Sequence, residues 1–169
     1  MSSAYLASLA CPRCQRDYPE SAAFTICPAC VDEGQNVNPA PVYDLSRLGP
    51  GWQPDRGQPG VFAYRDLLPI AATTVPVSLH EGSTPLVPAP ALAERLGLGE
   101  LLIKDESRNP TWSYKDRLAA VGVTKAREAG ADTVVVSSTG NHGAAVAAYA
   151  AAAGMRCVVL TLESVPLTM

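Results

Sequence analysis

The chain has 169 residues, 47% of them hydrophobic and 17% charged, with a formal net charge of −3. This is globular composition with enough apolar side chain for a core. It excludes a general attraction for nucleic acid or anionic membrane, which needs a basic excess. No apolar run reaches membrane-spanning length, and residues 1–10 lack the basic start and long apolar core of a secretory signal. The cytoplasm is the expected compartment.

The first organised stretch is a cysteine module over residues 8–33. Cys11-Pro12-Arg13-Cys14 and Cys27-Pro28-Ala29-Cys30 are separated by twelve residues, and Cys157 stands apart in an apolar run. In a reducing compartment, paired C-x-x-C spacing points to a metal before a disulfide. Each pair places two thiolates on one tight turn, and two such turns supply a tetrahedral site. A module this small has little core, so the metal would supply much of its folding energy. Zinc is the expected ion, and iron takes the same ligands. Redox-active thiols are one alternative, and a nucleic-acid-binding ribbon is another. Against the latter, Arg13 and Arg16 are opposed by Asp17, Glu20, Asp32 and Glu33, the reverse of a phosphate-binding balance. A structural zinc-ribbon-like module is expected.

Residues 34–74 read as a Pro/Gly-rich connector, with Pro39, Pro41, Pro50, Pro54 and Pro59 and a short ordered piece near 42–48. Regular structure is expected over 75–169. A helix over 90–96 stops at Gly97, and a strand follows over 101–103. The next helix runs over 113–129, with Ser113 as N-cap and Gly130 just past its end. A strand over 133–137, a Gly-containing turn, an Ala-rich helix to Ala153 and a strand over 156–162 make a βαβ unit at 133–162. Such units build parallel sheets with right-handed crossovers. The fold class is α/β. Two parallel strands do not make a stable domain, so the parallel-sheet portion is expected to be incomplete. A continuation of the chain or a second polypeptide would complete it.

The most informative stretch is Asn109-Pro110-Thr111-Trp112-Ser113-Tyr114-Lys115-Asp116-Arg117. Lys115 falls in the first turn of a helix, where the dipole disfavours a cation. It is either a solvated lysine balanced by Asp116 or a lysine whose amine attacks an aldehyde. The segment resembles the lysine motif of the fold-type II pyridoxal-phosphate (PLP) enzymes, the tryptophan synthase β-subunit-like family. Members usually read N-P-T-G-S-F-K-D-R, so Trp112 stands where Gly is frequent and Tyr114 where Phe is frequent. The family includes threonine synthase, serine and threonine dehydratases and cysteine synthase. The resemblance implies covalent PLP on Lys115, with Tyr114 beside the cofactor.

Two further segments carry the same resemblance. Ser137-Ser138-Thr139-Gly140-Asn141-His142-Gly143 joins a strand to a helix, where backbone N–H groups favour an anion. Taken alone it is equally an ordinary capped turn. It is similar to the family's S-S/T-G-N-H/T-G loop. By that similarity Asn141 contacts the PLP ring, while Ser138, Thr139, Gly140, Asn141 and His142 receive the substrate carboxylate. Ser78-Leu79-His80-Glu81-Gly82-Ser83-Thr84-Pro85-Leu86 resembles the upstream S-L-G-E-G-x-T-P-L segment, with His80 in place of a common Gly.

Within the family, N-terminal four-cysteine modules accompany many threonine synthases and related enzymes such as cysteate synthase, and the chain most resembles the former. The implied function is a PLP-dependent lyase acting on a small amino-acid substrate, O-phosphohomoserine, with water to give threonine and phosphate. A dehydratase or β-replacement enzyme is the alternative within the family, and a non-catalytic zinc-bearing scaffold is the alternative outside it. The family's phosphate-binding Gly-rich loop has no counterpart in these residues, so weak PLP binding by this chain alone is expected. A homo-oligomer is compatible with all these readings.

Overall fold

The computed structural model describes residues 3–166. The chain forms two compact units, one of residues up to 55 with 64–74, the other of 56–63 with residues from 75 onward.

In the first unit, strand β1 (Leu6–Ala10) is flanked by β2 (Asp17–Tyr18) and β3 (Ala40–Tyr43), both antiparallel to it. Leu6 and Leu9 are both buried although they lie three apart. A register shift between Leu6 and Ser8 adds the odd residue that puts them on one face. β3 comes from the Pro-rich stretch. Its Pro41 is tolerated because an edge strand can spare one N–H. Helix α1 (Pro28–Val31) is a single turn with Pro28 at its first position, where a missing N–H costs nothing. Cys11, Cys27 and Cys30 are fully buried, and Cys14, Tyr18, Ala29 and Val37 pack against them. The cysteines thus stand where a larger module would have a hydrophobic core.

The second unit opens with two antiparallel strands, β4 (Leu86–Pro88) and β5 (Leu102–Lys104), joined through helix α2 (Pro90–Arg95). Gly97, at φ 67, ends that helix in the left-handed conformation that glycine adopts freely. Helix α3 (Lys115–Glu128) precedes β6 (Thr133–Ser137), α4 (Asn141–Ala152) and β7 (Arg156–Leu160). β6 and β7 pair in parallel from Thr133 opposite Arg156 to Ser137 opposite Leu160. α4 packs on both strands and on α3. The buried apolar stripe of α3 is Ala119, Ala120, Val123 and Ala126, and that of α4 is Gly143, Ala145, Val146, Tyr149 and Ala150. The helical spacing of these residues produces the stripe, and its alanines let the helices come close.

The α/β class therefore holds. Parallel pairing holds for β6 and β7, while β4 and β5 form a separate antiparallel pair. Several element limits differ by a residue or two from the sequence expectation, and α2, α3 and α4 each end one residue early, at Arg95, Glu128 and Ala152. The strand expected over 101–103 is displaced by one residue. The final strand ends at Leu160, where the chain turns and the N–H of Val165 donates to Leu162. α3 begins at Lys115 with Tyr114 at the N-cap position in place of Ser113, which lies two residues before the helix and accepts the Lys115 N–H on its Oγ at 3.2 Å. Val135, Val158 and Leu160 on β6 and β7 are exposed. No helix among the described residues is long and apolar enough to cross a membrane.

Thr124 on α3 is fully buried, and its Oγ1 accepts from the Val77 N–H at 2.8 Å. Thr124→Val keeps the shape and strands that N–H, so it is expected to cost about 1–3 kcal/mol. Thr124→Ser is expected to cost less, and urea denaturation of both variants measures the difference.

Candidate active site and four-cysteine cluster

The segment ahead of α3 is held by one carboxylate. Arg117 donates to Glu106 through both Nε and Nη2, each at 2.8 Å. Thr84 Oγ1 donates to the same carboxylate at 2.6 Å, and Asn109 Nδ2 at 2.9 Å. The paired Arg117 contact holds the Glu106 carboxyl down at about 2 against the upward push of burial, with Thr84 and Asn109 helping. Buried Asn109 also accepts the Gly82 N–H at 2.9 Å, and Lys104 Nζ donates to the Thr84 carbonyl. The upstream 78–86 segment and the lysine segment are thereby fastened together.

Within the lysine segment, the fully buried Asp116 accepts from the Thr111 N–H at 3.1 Å and from Thr111 Oγ1 at 2.8 Å. The turn so closed places Trp112 at φ 59. Here the family's Gly has a physical reason: the left-handed region suits glycine and strains any other residue. The same holds for His80, at φ 63, the other position where a common Gly is replaced. Lys115 is the first residue of α3 and is half-buried. Its Nζ lies 4.4 Å from the centre of the Tyr114 ring, and among the described residues it forms no ion pair with a carboxylate.

A second buried carboxylate ties α4 to the upstream segment. Glu81 is fully buried, and its Oε2 accepts from the Tyr149 hydroxyl and Ser78 Oγ, both at 2.9 Å, and from the Leu79 N–H at 3.2 Å. Burial first, then Glu81 and Asp116, push the Tyr149 hydroxyl far above the phenol range. Gly60 runs against Glu81 so closely that a Cβ there would overlap the Glu81 carbonyl oxygen.

At the start of α4, neither Thr139 nor Asn141 caps the helix. Ser138 takes that part, accepting from the N–H groups of Gly140 at 3.2 Å and Gly143 at 2.8 Å. Gly143 packs so tightly that a Cβ would lie 3.0 Å from Val159 and 3.1 Å from the Ser138 Cβ. Beside this turn, at the carboxyl ends of β6 and β7, lies a concavity of about 520 Å³. Ser138, Thr139, Gly140, Gly143, Thr161 and Glu163 are among the residues that line it. Open α/β sheets place ligands at this end of their strands. Lys115, Tyr114, Asn141 and His142 are not among its lining residues; Lys115 and Asn141 instead head the two packed helices α3 and α4.

In the first unit the four sulfurs of Cys11, Cys14, Cys27 and Cys30 lie within 4.8 Å of one another. Cys11 to Cys30 is 3.7 Å and Cys14 to Cys27 is 3.6 Å. Both are far longer than a disulfide bond. Four sulfurs at about 2.3 Å from a tetrahedral zinc stand about 3.8 Å apart, so the cluster has the dimensions of such a site. The Tyr18 hydroxyl, 2.9 Å from Cys27 Sγ, holds that thiol down at about 6 against burial. Burial pushes Cys30 up to about 12, against the Arg13 guanidinium. Sequence spacing identified the sulfurs but neither Tyr18 nor Arg13 beside them. Nor did it single out the Glu106 and Glu81 carboxylates, whose partners are distant in the chain.

The pattern of the family described as pyridoxal-phosphate dependent enzyme matches residues 77–169. The chain belongs to that family. Among individual proteins it is similar to the threonine synthase of Methanosarcina acetivorans, 40% identical over 153 residues, which are 90% of this chain and 36% of that protein. It is also similar to the threonine synthase of Synechocystis sp., 49% identical over 98 residues (57% of this chain, 26% of that protein). The third is the threonine synthase of Mycobacterium leprae, 50% identical over 103 residues (60% and 28%). The chain thus spans about a quarter to a third of the length of these relatives.

Glu106 titrates near 2 in the folded chain against an ordinary 4.5. Its stabilisation is therefore complete above about pH 4.5 and is lost as pH falls toward 2. The stability gap between the native chain and Glu106→Gln is expected to be wide at pH 6 and to narrow at pH 3, as read from denaturant midpoints. At Trp112, 82% exposed, relief of about 1–2 kcal/mol of left-handed strain outweighs the roughly 0.5–1 kcal/mol entropic cost of glycine. Trp112→Gly is therefore expected to be neutral or up to about 1 kcal/mol more stable, and Trp112→Val less stable than the native chain.

Proposed function

We propose that this chain is a portion of a PLP-dependent lyase of the threonine synthase type, converting O-phosphohomoserine and water to threonine and phosphate. The observation that carries the reading is the half-buried Lys115 at the head of α3, whose ammonium pairs with no carboxylate among the described residues, inside a segment fastened by Glu106 and Asp116. Similar proteins are named threonine synthases, and the reaction is the one implied by the family resemblance. We also keep the division into a cysteine module (8–33), a connector (34–74) and a catalytic portion (75–169).

In this reading Lys115 would hold the cofactor, and its amine would carry protons between substrate carbons. Tyr114 lies beside the lysine amine, and Asn141 donates to the cofactor's ring hydroxyl. Ser138, Thr139, Gly140, Asn141 and His142 receive the substrate carboxylate. What supports this last role is the start of a twelve-residue helix, whose dipole and leftover N–H groups favour an anion. The lack of room at Gly143 for a side chain supports it as well. Bound PLP supplies an electron sink for the negative charge left when a proton leaves a substrate carbon. In the first unit, Cys11, Cys14, Cys27 and Cys30 hold a structural zinc in a ribbon-like module. The open faces of β6 and β7 are completed by further polypeptide, whether a continuation or a second chain, in an assembly compatible with a homo-oligomer.

The test is PLP titration of this chain and of a chain with the length of the relatives, followed by borohydride reduction and peptide mapping. The longer chain is expected to show a visible absorbance band and a reduced label on Lys115, and this chain alone a weak band or none. Lys115→Ala is expected to abolish the label. Absence of label on Lys115 in both chains would leave a non-catalytic zinc-bearing scaffold as the better reading.

A further inference from the structure

The two C-x-x-C turns look alike in sequence but treat their second sulfur differently. In the first turn, the N–H groups of Cys14 and Arg13 donate to Cys11 Sγ, and that of Arg16 donates to Cys14 Sγ. Arg16 can do so because Gln15, at φ 60, breaks the turn in the left-handed region and swings the next N–H back onto the sulfur. In the second turn the Cys30 N–H donates to Cys27 Sγ, but the chain after Cys30 stays helical. The N–H of Asp32 goes to the Pro28 carbonyl and that of Glu33 to the Cys30 carbonyl, both at 3.1 Å. The Asp32 N–H, the counterpart of Arg16's, is thus taken by a carbonyl and not by Cys30 Sγ.

A side chain from the other turn takes that place. Arg13 lies between Cys11 and Cys14, and its Nη1 stands 3.7 Å from Cys30 Sγ. The same nitrogen pairs with Glu33 Oε2 at 2.5 Å, so the residue three beyond Cys30 holds the guanidinium over the sulfur. Four thiolates around a divalent ion leave a net charge of −2, and donors to the sulfurs draw that charge off the metal–ligand bonds. Cys11, Cys14 and Cys27 receive this from the backbone, with Tyr18 adding a second donor at Cys27. Cys30 depends on Arg13.

We propose that Arg13 is the outer hydrogen-bond donor for Cys30, supplied across the cluster in place of the backbone N–H withheld by the helical second turn, and that it sets how tightly the centre keeps its metal. This rests on the metal-site reading of the four cysteines. Without Arg13, Cys30 becomes the most electron-rich sulfur and the first to leave the metal for an electrophile. The charge and the fork geometry both matter, so lysine replaces Arg13 only in part.

The experiment uses the full chain. Zinc content is measured first, then zinc release to a chromogenic chelator during slow thiol alkylation, with mass-spectrometric mapping of the first cysteine modified. Arg13→Ala is expected to release zinc about tenfold faster or more, with Cys30 alkylated first, and Arg13→Lys to fall between it and the native chain. Arg16→Ala, which retains its backbone donor, is expected to match the native chain. In cobalt-substituted protein, Arg13→Ala is expected to move the sulfur-to-metal charge-transfer band to lower energy. Absence of bound metal from the native chain would overturn the metal reading and the proposal together. A metal-loaded native chain whose release rate and alkylation order are unchanged in Arg13→Ala and Arg13→Lys would overturn the proposal alone.

Discussion

The Glu106 carboxylate is the point on which the lysine-bearing unit depends. It lies in a 3-10 turn just after β5, and three segments converge on it: Thr84 from upstream, Asn109 from the lysine segment and Arg117 from within α3. An exposed ion pair contributes little to stability. This one differs because the arginine contact is two-pronged and the remaining lone pairs are also used. The consequence is positional. α3 cannot slide along its axis without moving Arg117 off Glu106, so Lys115, two residues earlier, starts the helix at a defined place. Glu81 does the corresponding work for α4, reaching Tyr149 two turns into the helix.

Much of the second unit was legible in the sequence, because helical and strand periodicity act over a few residues. The lysine, the Ser-Thr-Gly-Asn turn, both helices around them and the parallel strand pair all emerge from local pattern. The parts that were not legible are long-range. β3 pairs with β1 across some thirty residues, and nothing local in a Pro-rich run announces a strand partner. Glu106 and Glu81 read as surface carboxylates until their partners, distant in the chain, are brought to them. Ser138 was named as a site residue, but its capping part was hidden. It caps α4 from two residues before Gly140, which carries the chain around extended and not helical.

The four-cysteine unit shows the limit of motif spacing most clearly. C-P-x-C occurs twice, and spacing alone makes the two turns equivalent. They diverge one residue later, where Gln15 turns left-handed and Val31 remains helical. That choice decides which sulfur keeps a backbone donor. Similar motif strings therefore conceal unlike electrostatics, and the difference lies in residues that bind nothing themselves.

The chain has two tryptophans, and each sits in a different unit. Trp52, partly buried, has its ring centre 6.3 Å from that of Tyr64, whereas Trp112 stands in the lysine segment with 82% of its surface open to solvent. The molecule thus carries two indole fluorophores in unlike surroundings, three residues from Lys115 in one case and on the unit of the sulfur cluster in the other. Indole emission follows its surroundings, so a ligand settling at the lysine segment would report through Trp112, and unfolding of the cysteine-bearing unit through Trp52. Single-tryptophan variants would separate the two signals and let each unit be followed by its own light.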